Sequence, residues 1–567
     1  MKSKVIVLLL KKYILQIAVV AIWFFSGIIW IFNRAPALPL DIDEAGYIGF
    51  AVRNCKNLIS NGLPGFVNAV LSRQTFAPLQ PFIGTVFGCT TNPNLELIIP
   101  LLASTFFIWE FMRLQNHPFF GLLFIVICPV YLQFSTNFGF AMLSSTAFAL
   151  SALYATHSNF FEDLRYSIYS GAALSIALLS RTMFSAFFVI EIVAEIIILL
   201  FFFRKNSLLR IRNFTISISL PLLIAGPWYI SHWNSVFGYL TSFGYGTHAK
   251  EYGTVSGIFN WTAWKFEWLV FSQNYFTTIS LFGIFLLLGL LIFQLSRQLR
   301  KYLKRSENLL FKNERYVMLH RIKMDALPGI FYFLLCFGMF LAMSSTMNVT
   351  SAGLLPTLLI LALVISFATE FVVVPNFLRV VGSSFVFLIL ISVCLIEFRP
   401  NQILKLGSST YIKATSARSG YYLARGFDSS GSNGINSLNS KKWVLSINNL
   451  AKNGRNSHCL VFGFRHSILN VNSVNLQLYY DNAELSYLTQ IDPIQTSSPA
   501  DYVKWIKSFP TDCLVFTDSS VKGQFPPAPN LSFLTQALTS QDYAAKQIEK
   551  LPDGSVISVW KLKSQLP

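Results

Sequence analysis

The chain has 567 residues, of which 53% are hydrophobic and only 12% charged, with a mean hydropathy of +0.52. A soluble domain carries about twice that charged fraction, so the composition excludes one and indicates a chain that crosses a membrane repeatedly. The net charge of +18 does not indicate nucleic acid, because the Lys and Arg residues gather in short connections between apolar stretches. Cytoplasmic loops carry such an excess, and anionic lipid headgroups are its secondary partner.

In chain order, Lys2, Lys4, Lys11 and Lys12 precede an uncharged stretch from Tyr13 to Phe32. A stretch of about 20 apolar residues spans a bilayer core. The basic flank keeps the N-terminus cytoplasmic, and the stretch is too long for a cleaved signal core. Ten further spans are predicted at 95–114, 118–135, 138–156, 166–180, 182–203, 214–233, 276–295, 326–346, 352–372 and 378–396. This threading places the cluster Arg204, Lys205, Arg210, Arg212 and the cluster from Arg297 to Lys323 inside. It leaves 33–94, 234–275 and everything after Glu397 outside.

The first outer loop has structure of its own. From Tyr47 to Leu71, apolar residues at helical spacing are interrupted by Asn61-Gly62 and Pro64-Gly65, which predicts two short amphipathic helices along the interface. The stretch Ile83 to Phe87 is too short to span. Beyond the bundle, 399–440 reads as a flexible linker rich in Ser, Gly and Asn, followed by an α/β domain over 441–567. Strands are expected at Trp443–Ile447, His458–Phe464 and Cys513–Thr517, and helices near 474–488 and 500–508. Asp553-Gly554 marks a hairpin before Ser555–Trp560. The Gly463-Phe464-Arg465-His466 turn carries no phosphate-binding pattern. Cys55, Cys89, Cys459 and Cys513 all fall outside, where disulfides persist; Cys459 and Cys513 open two similar strands and pair if those strands are neighbours. Cys128, Cys336 and Cys394 fall within spans as packing residues.

Five stretches carry the chemistry. Asp43-Glu44-x-x-Tyr47 follows the first span, and Ala77-Pro78-Leu79-Gln80-Pro81 lies in the same loop. Leu178-Leu179-Ser180-Arg181-Thr182 lies midway, and Ala225-Gly226-Pro227-Trp228-Tyr229 and Leu354-Leu355-Pro356 lie later. In order and spacing these resemble the membrane glycosyltransferases of the C-type fold, family 39 and its relatives, the protein mannosyltransferases and lipid A aminoarabinose transferases. The resemblance implies an α-helical polytopic bundle of about eleven spans over 1–398. It also implies transfer of a sugar from a polyprenyl-phosphate donor to a lipid, glycan or protein hydroxyl outside the cytoplasm. A bacterial inner membrane with an extracytoplasmic site follows from the habit of that family.

Residue chemistry agrees. A hydroxyl is a weak nucleophile that benefits from a carboxylate base, and a departing lipid phosphate needs fixed cations. Asp43 is the candidate base, with Glu44 positioning the acceptor or its surroundings; Tyr47 shares a helical face with Asp43. Arg181 is the candidate phosphate ligand, with Arg53 and Arg73 as secondary candidates, and His248 and Lys250 as loop contacts to substrate. The structural alternatives are an acid pair at a helix N-terminus and snorkelling anchors for the arginines. Many relatives carry a further acid in the outer hairpin, but Ser135-Thr136-Asn137-Phe138-Gly139-Phe140 has none. Asp41, Glu96 or Glu251 then replaces it, or it is dispensed with, and no cofactor is expected, a divalent metal being the alternative. The rival classes are a lipid or polysaccharide transporter, expected to bury ionisable groups in its spans, and a surface-polysaccharide polymerase or ligase.

Overall fold

The computed structural model describes residues 2–33, 35, 39–40, 42–72, 75–90, 92–202, 207–251, 255–275, 312–371, 376–397, 404–405, 422–423, 437–455, 457, 459–466, 468–483, 485–493, 495–519, 528–552 and 554–565. Among these, six helices are long and apolar enough to cross a bilayer: Tyr13–Asn33, Pro93–Leu114, Phe184–Phe202, Ser207–Ile224, Ala326–Ser345 and Ala352–Thr369. The first two belong to α1 (Lys2–Asn33) and to α4 (Ile98–Leu114) with its preceding 3-10 turn. Where α1 meets α4, the buried Trp23 donates from Nε1 to Ser104 Oγ at 3.0 Å.

Several expected spans are shorter or broken. The stretch 118–135 forms two helices, α5 (Pro118–Val126) and α6 (Pro129–Phe134), because Pro129 lacks the N–H that would continue the first. The stretches 138–156 and 166–180 form α7 (Ala141–His157) and α8 (Leu164–Ser180). Helix α7 is buried on nearly every side, and its Ser, Thr and Ala residues let neighbours approach closely. After α9 (Phe184–Phe202), the predicted span 214–233 resolves into α10 (Ser207–Ile224) and α11 (Gly226–Ser231), broken ahead of Pro227. Then follow α12 (Trp233–Gly244) and α13 (Trp261–Tyr275). The predicted span 276–295 and the basic residues Arg297 to Arg305 lie outside the described residues. Lys312 to Lys323 lie on α14 (Lys312–Ser345) rather than in a loop. Helices α15 (Ser351–Phe371) and α16 (Asn376–Glu397) close the bundle.

In the first long loop, α2 (Ile42–Leu71) divides at Gly62, whose φ of 64° and ψ of −162° only glycine adopts without strain. This matches the two expected helices. Helix α3 (Leu79–Gly88) has ten residues, and Cys55–Cys89 ties it to α2 with the Cα atoms 5.4 Å apart.

The C-terminal region contains two short paired strands, β1 (Leu404–Lys405) and β2 (Tyr422–Leu423), and a five-stranded sheet. The sheet uses β3 (Cys459–Phe462), β4 (Tyr487–Gln490), β5 (Leu514–Asp518), β6 (Tyr543–Lys550) and β7 (Val556–Leu562) in the order β4-β3-β5-β7-β6. Strand β3 runs parallel to β4 and β5, while β7 runs antiparallel to β5 and β6. Cys459 and Cys513 are bonded across neighbouring strands. The remaining thiols, Cys128, Cys336 and Cys394, are free cysteines. The expected strand Trp443–Ile447 is instead part of α17 (Ser437–Arg455). Trp443, Ile447, Leu450 and Ala451 recur at helical spacing and are buried together, a period that the short apolar run concealed. The expected helix 474–488 is α18 (Val471–Tyr480), stopped where Asn482 takes a φ of 53°; β4 then occupies the remainder. Helices α19 (Pro499–Ile506) and α20 (Leu531–Ser540) cover the sheet. Most of the predicted linker falls outside the described residues.

Candidate active site

Asp43 and Glu44 occupy the first turn of α2, where carboxylates offset the helix dipole. They part company at once. Asp43 is exposed, whereas Glu44 is buried and accepts at Oε1 from the Phe138 backbone N–H at 2.8 Å. Gln80, from the proline-rich stretch, donates from Nε2 to the carbonyls of Gly139 at 3.1 Å and Phe138 at 3.4 Å. The acid helix and α3 therefore grip one hairpin, 138–140, from two sides.

Arg181 also meets that hairpin. It caps the C-terminus of α8, its Nη1 donates to the Ala352 carbonyl at 3.3 Å, and its Cζ lies 3.8 Å from the centre of the Phe140 ring. Tyr47 packs edge-on against the same ring at 5.7 Å. One phenylalanine thus separates the acid helix from the guanidinium. Tyr239 of α12 registers both charges: burial pushes its phenol above the ordinary value, Arg181 pulls it back, and Asp43 pushes it up again.

From Tyr239 an aromatic lane runs outward. Its ring lies 6.3 Å from Phe76, which meets Tyr47 at 5.9 Å, and 4.6 Å from Phe243. Phe243 stacks on His248 at 5.0 Å, and His248 Nε2 reaches Asp492 Oδ2 at 3.6 Å. His248 is thus engaged with the C-terminal region, and Lys250 is exposed on the same 3-10 turn. Arg53 is exposed ten residues beyond Asp43, a rise of about 15 Å along the helix. Arg73 lies outside the described residues. Tyr239 carries no motif, and only the folded chain brings it to the site.

Of the acids expected to replace the missing hairpin carboxylate, Asp41 and the side chain of Glu251 lie outside the described residues. Glu96 is buried, and neither of its oxygens has a hydrogen-bond partner among the described residues. Its Oε2 and the Phe138 ring both border Gly84, so it lies beneath the hairpin. No group of three or more His, Cys, Asp or Glu arranged to hold a metal ion occurs among the described residues.

No protein-family model matches the chain, and no curated protein sequence does. Solved structures do match. The crystal structure of ArnT from Cupriavidus metallidurans bound to undecaprenyl phosphate superposes with a TM-score of 0.52 at 11% identity, covering 96% of this chain and 97% of that one. The apo structure of the same protein gives 0.50 at 12% identity with the same coverage. The bundle and the C-terminal sheet together have the C-type glycosyltransferase fold, and the chain is an integral membrane protein.

Proposed function

We propose that this membrane protein is a glycosyltransferase that moves a sugar from a polyprenyl-phosphate carrier to a hydroxyl acceptor at the extracytoplasmic face. The observation that carries the reading is the Phe140 ring, which both Arg181 and Tyr47, four residues beyond Asp43 on the same helix, meet. The likeness to a fold that binds undecaprenyl phosphate in ArnT supports the choice of donor.

In this reading Asp43, exposed at the helix start, takes the proton from the acceptor hydroxyl as its oxygen attacks the anomeric carbon. The bond from that carbon to the phosphate oxygen breaks, and its electron pair leaves with the lipid phosphate. Attack opposite the departing group inverts the anomeric configuration. Arg181 meets the developing negative charge; its planar fork suits two phosphate oxygens, and the Phe140 ring holds its plane. Glu44 does no proton transfer here: buried against the Phe138 amide, it fixes the hairpin between acid and cation. Tyr47 lends an apolar wall beside Phe140.

One observation favours a second reading. Glu191 and Glu195 are buried within α9, where Ser151 donates to Glu191 Oε1 at 2.8 Å. Ionisable groups inside spans mark transport pathways. Purified protein given radiolabelled polyprenyl-phosphate sugar and a panel of hydroxyl acceptors separates the two. Labelled product from wild type, lost in Asp43→Asn, supports the transferase. Movement of the intact labelled lipid between leaflets without product rejects it.

A further inference from the structure

Helix α18 belongs to the C-terminal region by sequence and to the bundle by packing. Leu476 is part of the bundle's buried core, with Tyr479 and Tyr480 packed against it. The face of α18 carrying these residues lies along the first half of α2. Asn472 Nδ2 donates to the Ile42 carbonyl at 2.9 Å, and Ile42 immediately precedes Asp43. One turn along, Gly46 leaves the room that this amide occupies, since a Cβ there would sit 3.0 Å from Asn472 Nδ2. Further on, Gly49 faces the Tyr479 ring, and Lys56 Nζ lies 5.6 Å above the same ring. Positions 42, 46, 49 and 56 of α2 thus form one stripe, covered by a helix more than 400 residues away in sequence.

Asn472 is itself rigidly held. Its backbone N–H donates to Asn470 Oδ1 at 2.9 Å, within a capping box completed by Ser473. A helix start otherwise frays, because its first turn has the fewest internal bonds. The amide of Asn472 adds a bond there, at the peptide unit that carries Asp43.

We propose that Asn472 is a positioning residue for the acid of the site: the C-terminal region reaches back through α18 and fixes the first turn of α2. The proposal rests on the transferase reading for its kinetic test and stands apart from it for its structural one. Asn472→Ala in the full chain is expected to lower kcat about tenfold or more, with KM for the lipid donor within twofold of wild type. Amide hydrogen exchange over residues 42–48 is expected to accelerate while the strands of the sheet keep their protection. Asn472→Gln, which retains the donor, is expected to restore part of kcat.

Gly46→Ala supplies the second arm. Alanine favours helix over glycine, so a purely local effect leaves activity unchanged or raised. Crowding of the amide predicts a loss of kcat in the wild-type background and no further loss on top of Asn472→Ala. Unchanged kcat and exchange in Asn472→Ala overturn the proposal, as does a fall in kcat matched by loss of protection throughout the sheet. If wild type transfers no sugar from any polyprenyl-phosphate donor, the functional reading fails, and the exchange measurement still decides whether Asn472 holds the helix.

Discussion

Two places in the molecule gather polar groups at the ends of secondary structure, and they do opposite things with them. At the C-terminal ends of the parallel strands β3 and β5, the position where open α/β sheets commonly bind ligands, the described residues around Gly463 and His466 pack closely. A Cβ on Gly463 would meet Leu534 at 2.6 Å. His466 is buried, stacked on Trp443 at 4.8 Å, and its Nδ1 accepts from the Ile468 and Leu469 amides at 3.1 and 3.2 Å. At the bundle rim, Asp43 stays exposed at a helix start while its neighbours are braced by the hairpin and by α18. The sheet uses its polar groups to close a structure, and the rim uses them to hold an open one. Chemistry is expected only where the bracing surrounds an accessible group.

The largest effects should fall on the rim. Asp43→Asn is expected to reduce transfer by about 10²–10⁴-fold, the usual scale for a lost general base. Arg181→Ala is expected to cost about 10²–10³-fold, the usual scale for a lost charge-stabilising donor. Arg181→Lys should recover only part of this, since an ammonium lacks the planar fork. Steady-state kinetics in detergent or nanodiscs measures all three. If the two residues serve one transition state, the double variant should lose less than the product of the single losses. Multiplicative losses would separate them into independent roles.

How much of this contrast was legible beforehand depends on the range of the interactions. Asp43, Glu44 and Arg181 stood out because a charge beside an apolar span is conspicuous and because the surrounding motifs resembled a known family. The kink at Gly62 was legible for a local reason, a glycine and a proline interrupting helical spacing. The brace was not. Gln80 meets the hairpin across 59 residues and Asn472 meets Ile42 across 430, and nothing local in either stretch announces a partner. The misread strand at Trp443–Ile447 shows the converse failure, where a five-residue window hid a helical period that needs about two turns to declare itself. The approach of His248 to Asp492 was not legible either, since it depends on the placement of the sheet.

The two disulfides give a second, smaller contrast. Each closes a chain loop, of 34 residues for Cys55–Cys89 and 54 for Cys459–Cys513, and loops of that size correspond to about 4 kcal/mol of denatured-state entropy. Their stability effects should therefore be similar. Their functional effects should differ. Cys459→Ser with Cys513→Ser is expected to lower the melting temperature while preserving kcat below it, because β3 and β5 remain hydrogen-bonded. Cys55→Ser with Cys89→Ser is expected to lower kcat as well, because it loosens α2 from the helix that carries Gln80. Equal kcat values for the two double variants would mean that the rim does not depend on this brace.

A third acid separates exposure from burial as the determinant of function. Glu267 on α13, which is not among the six apolar spans, is fully buried, and neither oxygen has a hydrogen-bond partner among the described residues. Burial pushes its carboxyl up from 4.5 to about 9. The unfolded chain releases this proton above 4.5, whereas the folded chain retains it until about 9. The associated stability is therefore complete below pH 4.5, declines as pH rises towards 9, and changes no further beyond. The slope is at most about 1.4 kcal/mol per pH unit. Glu267→Gln should flatten that decline and stabilise the fold at pH 8 relative to wild type by on the order of a few kcal/mol, read out as a raised melting temperature. Transfer activity near neutral pH should stay within twofold, since no hydrogen bond joins the Glu267 carboxyl to a rim residue among the described residues.

The smallest effect should come from the sheet's own conspicuous turn. The arrangement Gly463-Phe464-Arg465-His466 invites a ligand-binding interpretation, and the packing of His466 opposes it. His466→Gln, of similar reach and able to accept from the same amides, should cost about 1 kcal/mol or less and leave kcat and KM unchanged. Thermal melting and steady-state kinetics on one preparation measure both quantities. A selective rise in KM for one acceptor, with melting unaltered, would move acceptor recognition onto the sheet and would end the division between a closed sheet and an open rim.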